Sequence, residues 1–521
     1  MLEVMIISAA AVAVTAAAVW LWQFLDWAWR RPRKIEAMFR AQGMKGNSYK
    51  FLVGDSNDTA RMYRKAFSKP IRIVDDIVPR VMPNIHQALH QHGDFCFTWA
   101  GPRPRVFIMD PDIARDVLSK RQVYLKPFTA NNKTLQMLVT GLAIFEGEQW
   151  SKSRSRVNPV FKLNKLWSIV PRIQICGEET MKVLRASVAK GGGSAEVDIC
   201  PHTAIVTSGV LARLMFNCPY TDEIKETFRR LDELAELASL HAKIWSFPGE
   251  KYFPTKTNRR ANAIDKYVRG IFTTMINKRL KDRKPEDVES GYKDLLDVFL
   301  EELYEGKFSE KERGRLMEEV IAELRIFFFA GFETTSNLLT WSLVLLAHHH
   351  ECQDRAREEV LQMLGDKKEI TSDDVSKLKY ITNVVNEALR LYSPGMEISR
   401  LVGEDISIKG FKIPKDTLLT FPILMYHRNT KYWGEDAGEF KPDRFSDGMM
   451  KATGGENVFF PFGWGPRICI GMNLSLIESK VMLAMLLREF SFDPSPSYVH
   501  APCVAFTVHP QFGAPLLLKK L

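Results

Sequence analysis

The sequence predicts a mainly α-helical protein with small β-sheets, built as one large domain behind a single N-terminal transmembrane helix. Three observations carry that reading. A run of 22 residues without a charge opens the chain, from Val4 to Leu25. Helical periodicity dominates between Asp222 and Lys379, with Phe228, Leu231, Leu234, Leu237 and Leu240 at helical spacing. Strand-like pieces are short and few: Cys96 to Ala100, Val106 to Met109, Ile406 to Ile413 and Thr417 to Pro422. With 26% charged and 11% aromatic residues in 521, the chain can bury a large core, which excludes a disordered or low-complexity protein. Seven cysteines, at 96, 176, 200, 218, 352, 469 and 503, are too sparse for a disulfide scaffold and include no close pair suited to zinc or dithiol redox chemistry. Lys+Arg 72 against Asp+Glu 62 leaves +10, which calls for nucleic acid, an acidic partner or a membrane surface, and the placement of the charge has to decide.

At 1.5 Å per residue the opening run spans roughly 33 Å, enough for a bilayer's hydrocarbon core. Trp20, Trp22, Trp27 and Trp29 gather at its far end, followed by Arg30, Arg31, Arg33 and Lys34. Aromatic rings favour the interface, and basic residues mark the cytosolic side. A cleaved signal peptide is the competing reading, but the apolar run is too long for its core and no Lys or Arg precedes it. The expected division is an anchor over residues 1–29 and a cytosolic domain over 30–521, with no Pro/Gly/Ser-rich linker in the latter. Polar stretches at Leu280 to Tyr292 and Leu303 to Arg315, and the turn Gly191 to Gly193, read as surface connections.

Trp150 and Arg154 stand one turn apart on a helix expected to start near Glu146. Alone, that is a surface arginine beside a half-buried ring. The longest apolar helical stretch, Val320 to His349, is interrupted by Glu323, Arg325 and Glu333, which argues for a helix through the middle of the domain and against a second span. Inside it, Gly331 removes a side chain from the helix wall, and Thr334 can bond the carbonyl of Ala330 four residues back. His348 to His350 cannot converge on one metal ion, because successive helical residues point about 100° apart; a solvated helix end is expected. Glu387 and Arg390 share one helical face amid apolar neighbours, so a partly buried pair needing a further partner is expected, and Arg444 in Lys441-Pro442-Asp443-Arg444-Phe445 is a candidate.

The loop Phe462-Gly463-Trp464-Gly465-Pro466-Arg467-Ile468-Cys469-Ile470-Gly471 directly precedes the helix-forming run Met472 to Glu489. Glycines permit a tight loop with inward N–H groups, and a helix start just after Cys469 is expected to lower its pKa. A cysteine near glycines is ordinarily a buried structural residue. The whole pattern F-x-x-G-x-R-x-C-x-G is not ordinary.

It resembles the haem-binding loop of the cytochrome P-450 family of haem-thiolate monooxygenases. The tryptophan–arginine pair, Ala330-Gly331-Phe332-Glu333-Thr334-Thr335, the E-x-x-R, P-D-R-F and the cysteine loop occur in the family's order across nearly the whole chain. The resemblance implies the cytochrome P-450 fold, haem b with Cys469 as iron ligand, and O2 activated with NADPH-derived electrons. It further implies that Arg467, Trp150, Arg154 and Arg400 serve the propionates, that Phe462, Gly463 and Gly471 shape the loop, and that Ala330, Gly331, Glu333 and Thr334 form the oxygen-activation motif. Glu387, Arg390 and Arg444 become a structural network. An arginine suits paired recognition of a planar carboxylate.

The segments Trp29 to Pro32, Gln42 to Tyr49 and Asp75 to Arg80 resemble plant members of the clan named for family seventy-two, which oxidise terpenoids and related hormones. The chain departs from common patterns at Ser393, Asp416 and Ser155, and has the single Pro32 after the anchor. The implied partners are an NADPH-cytochrome P-450 reductase, a hydrophobic small molecule and the endoplasmic reticulum membrane, with a monomer facing the cytosol and no nucleic acid. Lys152, Arg156, Lys162 and Lys165 are candidates for a basic docking face, and equally for a solvated one. Pocket walls are expected from Pro127 to Leu142, Leu237 to Phe247, Ile326 to Ala330, Gly395 to Ile398 and Cys503 to Thr507. A haem-thiolate isomerase or dehydratase needs no reductase, and a noncatalytic haem-binding sensor shows no NADPH turnover; the intact Glu333-Thr334 pair argues against the first.

Overall fold

The computed structural model describes residues 2–127, 133–243, 253–282, 294–306 and 308–521. Leu2–Leu25 is helical, Asp26–Arg30 forms a wide π-helical turn, and Arg31–Ala41 continues as α-helix. The N-terminal apolar helix and the helix after it are therefore continuous through the turn. Pro32 has no N–H to offer the Ala28 carbonyl four residues back, so the helical ladder is interrupted at this turn. The Tyr49 hydroxyl donates to the Ala28 carbonyl at 2.5 Å and fastens this turn to the domain. The apolar window of Met5–Ala41 has mean hydropathy 2.0 and none of it is buried, so this helix is long and apolar enough to cross a membrane. Ile199–Phe216 is also long and apolar, but 72% of it is buried, as befits a core helix.

The core is organised by the long helix Glu310–His348. Ser309 caps it reciprocally: its hydroxyl faces the Glu312 N–H while the Glu312 carboxylate accepts from the Ser309 N–H at 3.0 Å. From Val320 to Ala347 it is largely buried, packed against Ile199–Phe216 and Met472–Glu489. Phe328 is enclosed by Phe228, Phe272 and Phe216, with ring centroids at 4.7, 5.0 and 5.3 Å. Burial of such a ring contributes about 1.5–3 kcal/mol. The charges that interrupt the apolar run are hydrogen-bonded inside. Arg325 meets Asp265 at 2.7 Å and donates to the Met137 carbonyl at 2.6 Å. Glu323 accepts from the Leu142 N–H at 2.9 Å and from the Ser153 hydroxyl.

A six-stranded sheet runs in the order Lys45–Gly46, Phe95–Ala100, Arg103–Ile108, Leu418–Phe421, Ile398–Val402, Tyr124–Leu125. Its register matters at one place: Arg400 pairs opposite Leu419, which fixes where the arginine enters the domain. The expected strand Ile406 to Ile413 is instead a hairpin, Ile406–Ile408 with Phe411–Ile413. Lys409 and Gly410, at φ +51° and +81°, make the two-residue turn that the twist of a hairpin favours. Alternation alone did not reveal the turn, because Lys-Gly is not among the strongest turn pairs. The sequence reading also passed over a second sheet, in the order Phe490–Pro494, Pro515–Lys520, Ser194–Asp198. Ser194–Asp198 lies about three hundred residues before the other two strands, so only the fold brings it to them.

The departures acquire physical reasons. Asp416 takes φ +68°, a left-handed conformation that glycine adopts freely and Asp tolerates, and it pairs with Arg31 at 3.0 Å. The buried Ser393 hydroxyl donates to the Gly395 carbonyl at 3.1 Å, and Ser155 bonds back to Ser151 at 2.9 Å on the exposed helix face. The histidine run does end the long helix, but His348 and His349 are half-buried, with rings bonded to the carbonyls of Val344 and Leu345, and only His350 is exposed, beside Asp493. Among the described residues no cluster of three metal-ligating side chains occurs. Of the expected surface connections, Gly191 to Gly193 is a turn and residues 283–292 and 307 lie outside the described residues, whereas Leu280 to Asp282, Leu303 to Glu305 and Glu310 to Arg315 belong to helices.

Candidate active site

The cysteine loop is shaped by backbone constraint. Gly463 and Gly465 adopt φ +80° and +74°, and a Cβ on Gly465 would come within 2.6 Å of the Leu118 carbonyl. Both reasons require glycine there. The Cys469 N–H donates to the Phe462 carbonyl at 2.9 Å, closing the loop, and Met472–Glu489 follows as a helix. A Cβ on Gly471 would lie 3.9 Å from the Cys469 sulfur, in ordinary contact. Cys469 is exposed and lines a cavity that the loop shares with the long helix. The expected depression of its pKa does not prevail. Burial pushes the thiol up, while the N–H groups of Gly471 and Met472 and the charges of Arg154 and Lys126 pull it down. Desolvation of a thiolate outweighs the helix-start donors.

The cavity has a volume of about 400 Å³ and runs between the cysteine loop and the long helix. Phe462, Gly463, Arg467, Cys469 and Gly471 line one side; Ala330, Gly331, Thr334 and Thr335 line the other. Leu142, Ile326, Phe327, Gly395 and Ile398 contribute apolar wall, as expected. Leu237 and Cys503 to Thr507 do not line it, and the expected wall at residues 128–132 and 244–247 lies outside the described residues.

Cations crowd one end. Arg154, Arg400 and Arg467, all singled out in the sequence, are joined by Lys126, which no motif marks. Arg154 donates to the Ile468 carbonyl at 3.0 Å and Arg400 to Ser399 at 2.9 Å. Arg467 donates to the Phe145 carbonyl at 2.9 Å and pairs with Glu146, leaving Nε and Nη1 buried without partners. Trp150 is half of a cation stack, with Arg121 and Arg467 over its ring at 4.6 and 4.7 Å. Burial and the neighbouring Arg400 and Arg467 drag Lys126 down to about 7; burial and Arg467 bring Arg400 to about 10. Positive charge crowded into a shielded place with unused donors calls for anions.

Thr334 donates to the Ala330 carbonyl at 2.7 Å, as its four-residue spacing requires. Gly331 does more than open the wall: a Cβ there would meet Leu211 at 2.7 Å, so glycine also lets the helix Ile199–Phe216 approach. Glu333 does not line the cavity. Its carboxylate accepts from the Thr507 hydroxyl at 2.6 Å and the Asn337 amide at 3.2 Å.

Glu387 and Arg390 lie away from the cavity, both fully buried, at 2.7 Å. Arg390 also reaches the carbonyls of His427, Ala437 and Glu439. Arg444 stands 3.6 Å from Glu387, a charge contact without a hydrogen bond, and is held by Asp436 and the Trp433 carbonyl. The basic face is half neutralised, since Lys152 and Arg156 both pair with Glu302 at 2.6 Å, whereas Lys162 and Lys165 are exposed.

A dicarboxylate, iron-bearing ring fits these residues: the unpartnered Arg467 nitrogens and the crowded cations await carboxylates, and the sulfur faces the same space. Fold and site together define a haem-thiolate monooxygenase. The chain belongs to the family described as Cytochrome P450, whose profile matches residues 78–508, and whose cofactor is cysteine-ligated haem b, used with O2 and NADPH-derived electrons. It is 42% identical over 505 residues to Secologanin synthase 1 of Catharanthus roseus, covering 96% of this chain and 95% of that protein. It is 41% identical over 522 residues to Cytochrome P450 72A13 of Arabidopsis thaliana, covering 99% and 100%. It is 39% identical over 506 residues to 7-deoxyloganic acid hydroxylase of Catharanthus roseus, covering 96% of each. These relatives place it with the plant clan of family seventy-two.

Proposed function

We propose that this enzyme oxidises a hydrophobic plant terpenoid or terpenoid-derived hormone in the endoplasmic reticulum membrane, with electrons delivered from NADPH by a cytochrome P-450 reductase. The observation that carries the site assignment is the enclosure of Cys469 and four cations by one cavity beneath Thr334. Cys469 would supply the thiolate that holds the iron, and Lys126, Arg154, Arg400 and Arg467, with Trp150, would hold the propionates. When bound there, haem b would supply the activation of O2 needed for oxidation of a C–H bond.

The protein's own residues do the rest. Gly471 and Met472 offer N–H groups to the sulfur and stabilise its charged form. Thr334, back-bonded to Ala330, presents its hydroxyl to the cavity, and Glu333 one residue away is the proton source. Apolar walls from Ile326, Phe327 and Ile398 exclude water and favour a hydrophobic substrate. Glu387, Arg390 and Arg444 keep the segment before the cysteine loop in register. Residues 1–29 anchor a monomeric cytosolic domain, 30–521, and the basic residues after the tryptophans favour the cytosolic side. Lys162 and Lys165 are the unneutralised part of a reductase-docking face.

The names of two relatives, a synthase for secologanin and a hydroxylase for 7-deoxyloganic acid, support the terpenoid reading. The test is a reduced carbon monoxide difference spectrum followed by NADPH turnover in microsomes against a terpenoid and hormone panel. A band at about 450 nm with product from one panel member is expected. Turnover without NADPH or O2 identifies an isomerase or dehydratase instead.

A further inference from the structure

The long helix presents two adjacent stripes. Ala330, Thr334 and Leu338, four residues apart, face the cavity. Phe329, Glu333, Asn337 and Trp341, also four apart, face the C-terminal hairpin formed by Pro502–Val504 and Val508–Pro510. Successive hairpin residues meet that second stripe. Phe506 packs on Phe329 with ring centroids at 5.3 Å, and Val508 accepts from the Trp341 indole at 2.9 Å. Between them the buried Thr507 hydroxyl donates to Glu333 at 2.6 Å and accepts from Asn337 at 2.7 Å.

We propose that Thr507 is a positioning residue for Glu333: its hydroxyl, seconded by the Asn337 amide, latches the carboxyl onto the hairpin and off the cavity, so proton delivery requires the carboxyl to leave this latch. The inference deepens the proposed function and rests on Glu333 as its acid. In the step, the Glu333 O–H breaks and its proton passes to water or hydroxyl on the cavity side; the carboxylate left behind regains one proton from solvent.

The surroundings suit a poised acid. Burial raises Glu333, Thr507 and Asn337 lower it by bonding its charged form, and Glu236 raises it again. Asp232 and Glu236, four apart on Asp222–Lys243, are the acidic neighbours coupled to Glu333 by charge. Burial, then Glu333 and Glu236, bring Asp232 to about 7. From the hairpin, His509 is the titratable neighbour, bonded to Cys503 and the Thr507 carbonyl.

The experiment uses purified full-length holoenzyme bearing Thr507→Val, Thr507→Ser or Glu333→Gln. The protonated-carboxyl infrared band that vanishes in Glu333→Gln is titrated in the ferric protein. NADPH-driven peroxide release with reductase and no added substrate is then followed against pH. Removing a donor to the charged form raises the titration midpoint, by roughly one pH unit in Thr507→Val, with the peroxide profile moving alongside and Thr507→Ser restoring both. Should valine disturb the hairpin, Thr507→Ala gives the same readout with a smaller side chain. An unmoved midpoint and profile in a Thr507 variant that keeps the thiolate-type carbon monoxide band overturns the latch. A Glu333→Gln enzyme with an unaltered peroxide profile overturns instead the acid role on which it rests.

Discussion

Arg390 clasps Glu387 at 2.7 Å with neither side chain open to solvent, and every other nitrogen contact of Arg390 is to a backbone carbonyl. The Lys441 N–H adds a further bond to Glu387 at 2.9 Å. Removing one partner leaves an uncompensated buried charge. Glu387→Ala or Arg390→Ala is expected to lose about 3–5 kcal/mol, read by thermal unfolding, and to yield little holoenzyme. Arg444→Ala is expected to cost less, because its contact to Glu387 is longer and it is held chiefly by Asp436.

Glu478 tests the cost of a buried acid without a partner. Its Oε1 has no hydrogen bond, and burial raises its pKa well above the usual carboxylate range. A raised folded pKa means that its stability contribution is full below the unfolded value, about 4.5, and is lost as pH climbs through the folded value. Glu478→Gln is therefore expected to match wild type in unfolding temperature near pH 4.5 and to exceed it near pH 8. Equal curves at both pH values contradict this account.

Haem retention should track the cations at the cavity end. Arg467 has two buried nitrogens awaiting partners, so Arg467→Ala is expected to weaken haem retention by tenfold or more, measured as transfer to apomyoglobin. Arg467→Lys should recover only part of it, because a point charge does not reproduce a fork. Arg400→Ala should show a smaller loss of the same kind.

On the long helix, Thr334→Ala removes the cavity-facing hydroxyl and is expected to divert NADPH-derived electrons to peroxide while leaving the carbon monoxide spectrum intact. Coupled product formation at the wild-type ratio would count against the proton role of Thr334. Gly331→Ala tests packing instead: its Cβ would press on Leu211, and overpacking of this kind costs about 1–3 kcal/mol unless the leucine moves.

Asp416 holds a left-handed backbone, so Asp416→Gly should keep or raise the unfolding temperature despite losing the exposed pair with Arg31. Asp416→Val should lower stability by about 1–2 kcal/mol, since a β-branched residue resists that conformation.

Much of this enzyme was legible in one dimension. The cysteine loop, the helix Met472–Glu489 after it, the back-bond from Thr334 to Ala330 and the pairing of Glu387 with Arg390 all depend on residues a few positions apart, and local spacing determines them. Tertiary structure decided the rest, because it depends on what surrounds a group and on which distant segments meet. Folding alone brought Lys126 to the cavity and Glu146 to Arg467, and burial reversed the expected pull on the Cys469 thiol. Glu333 shows the division most plainly. Its place beside Thr334 in sequence marked it as the acid, yet successive helical residues point about 100° apart, so one faces the cavity while the other is held by Thr507, 174 residues away.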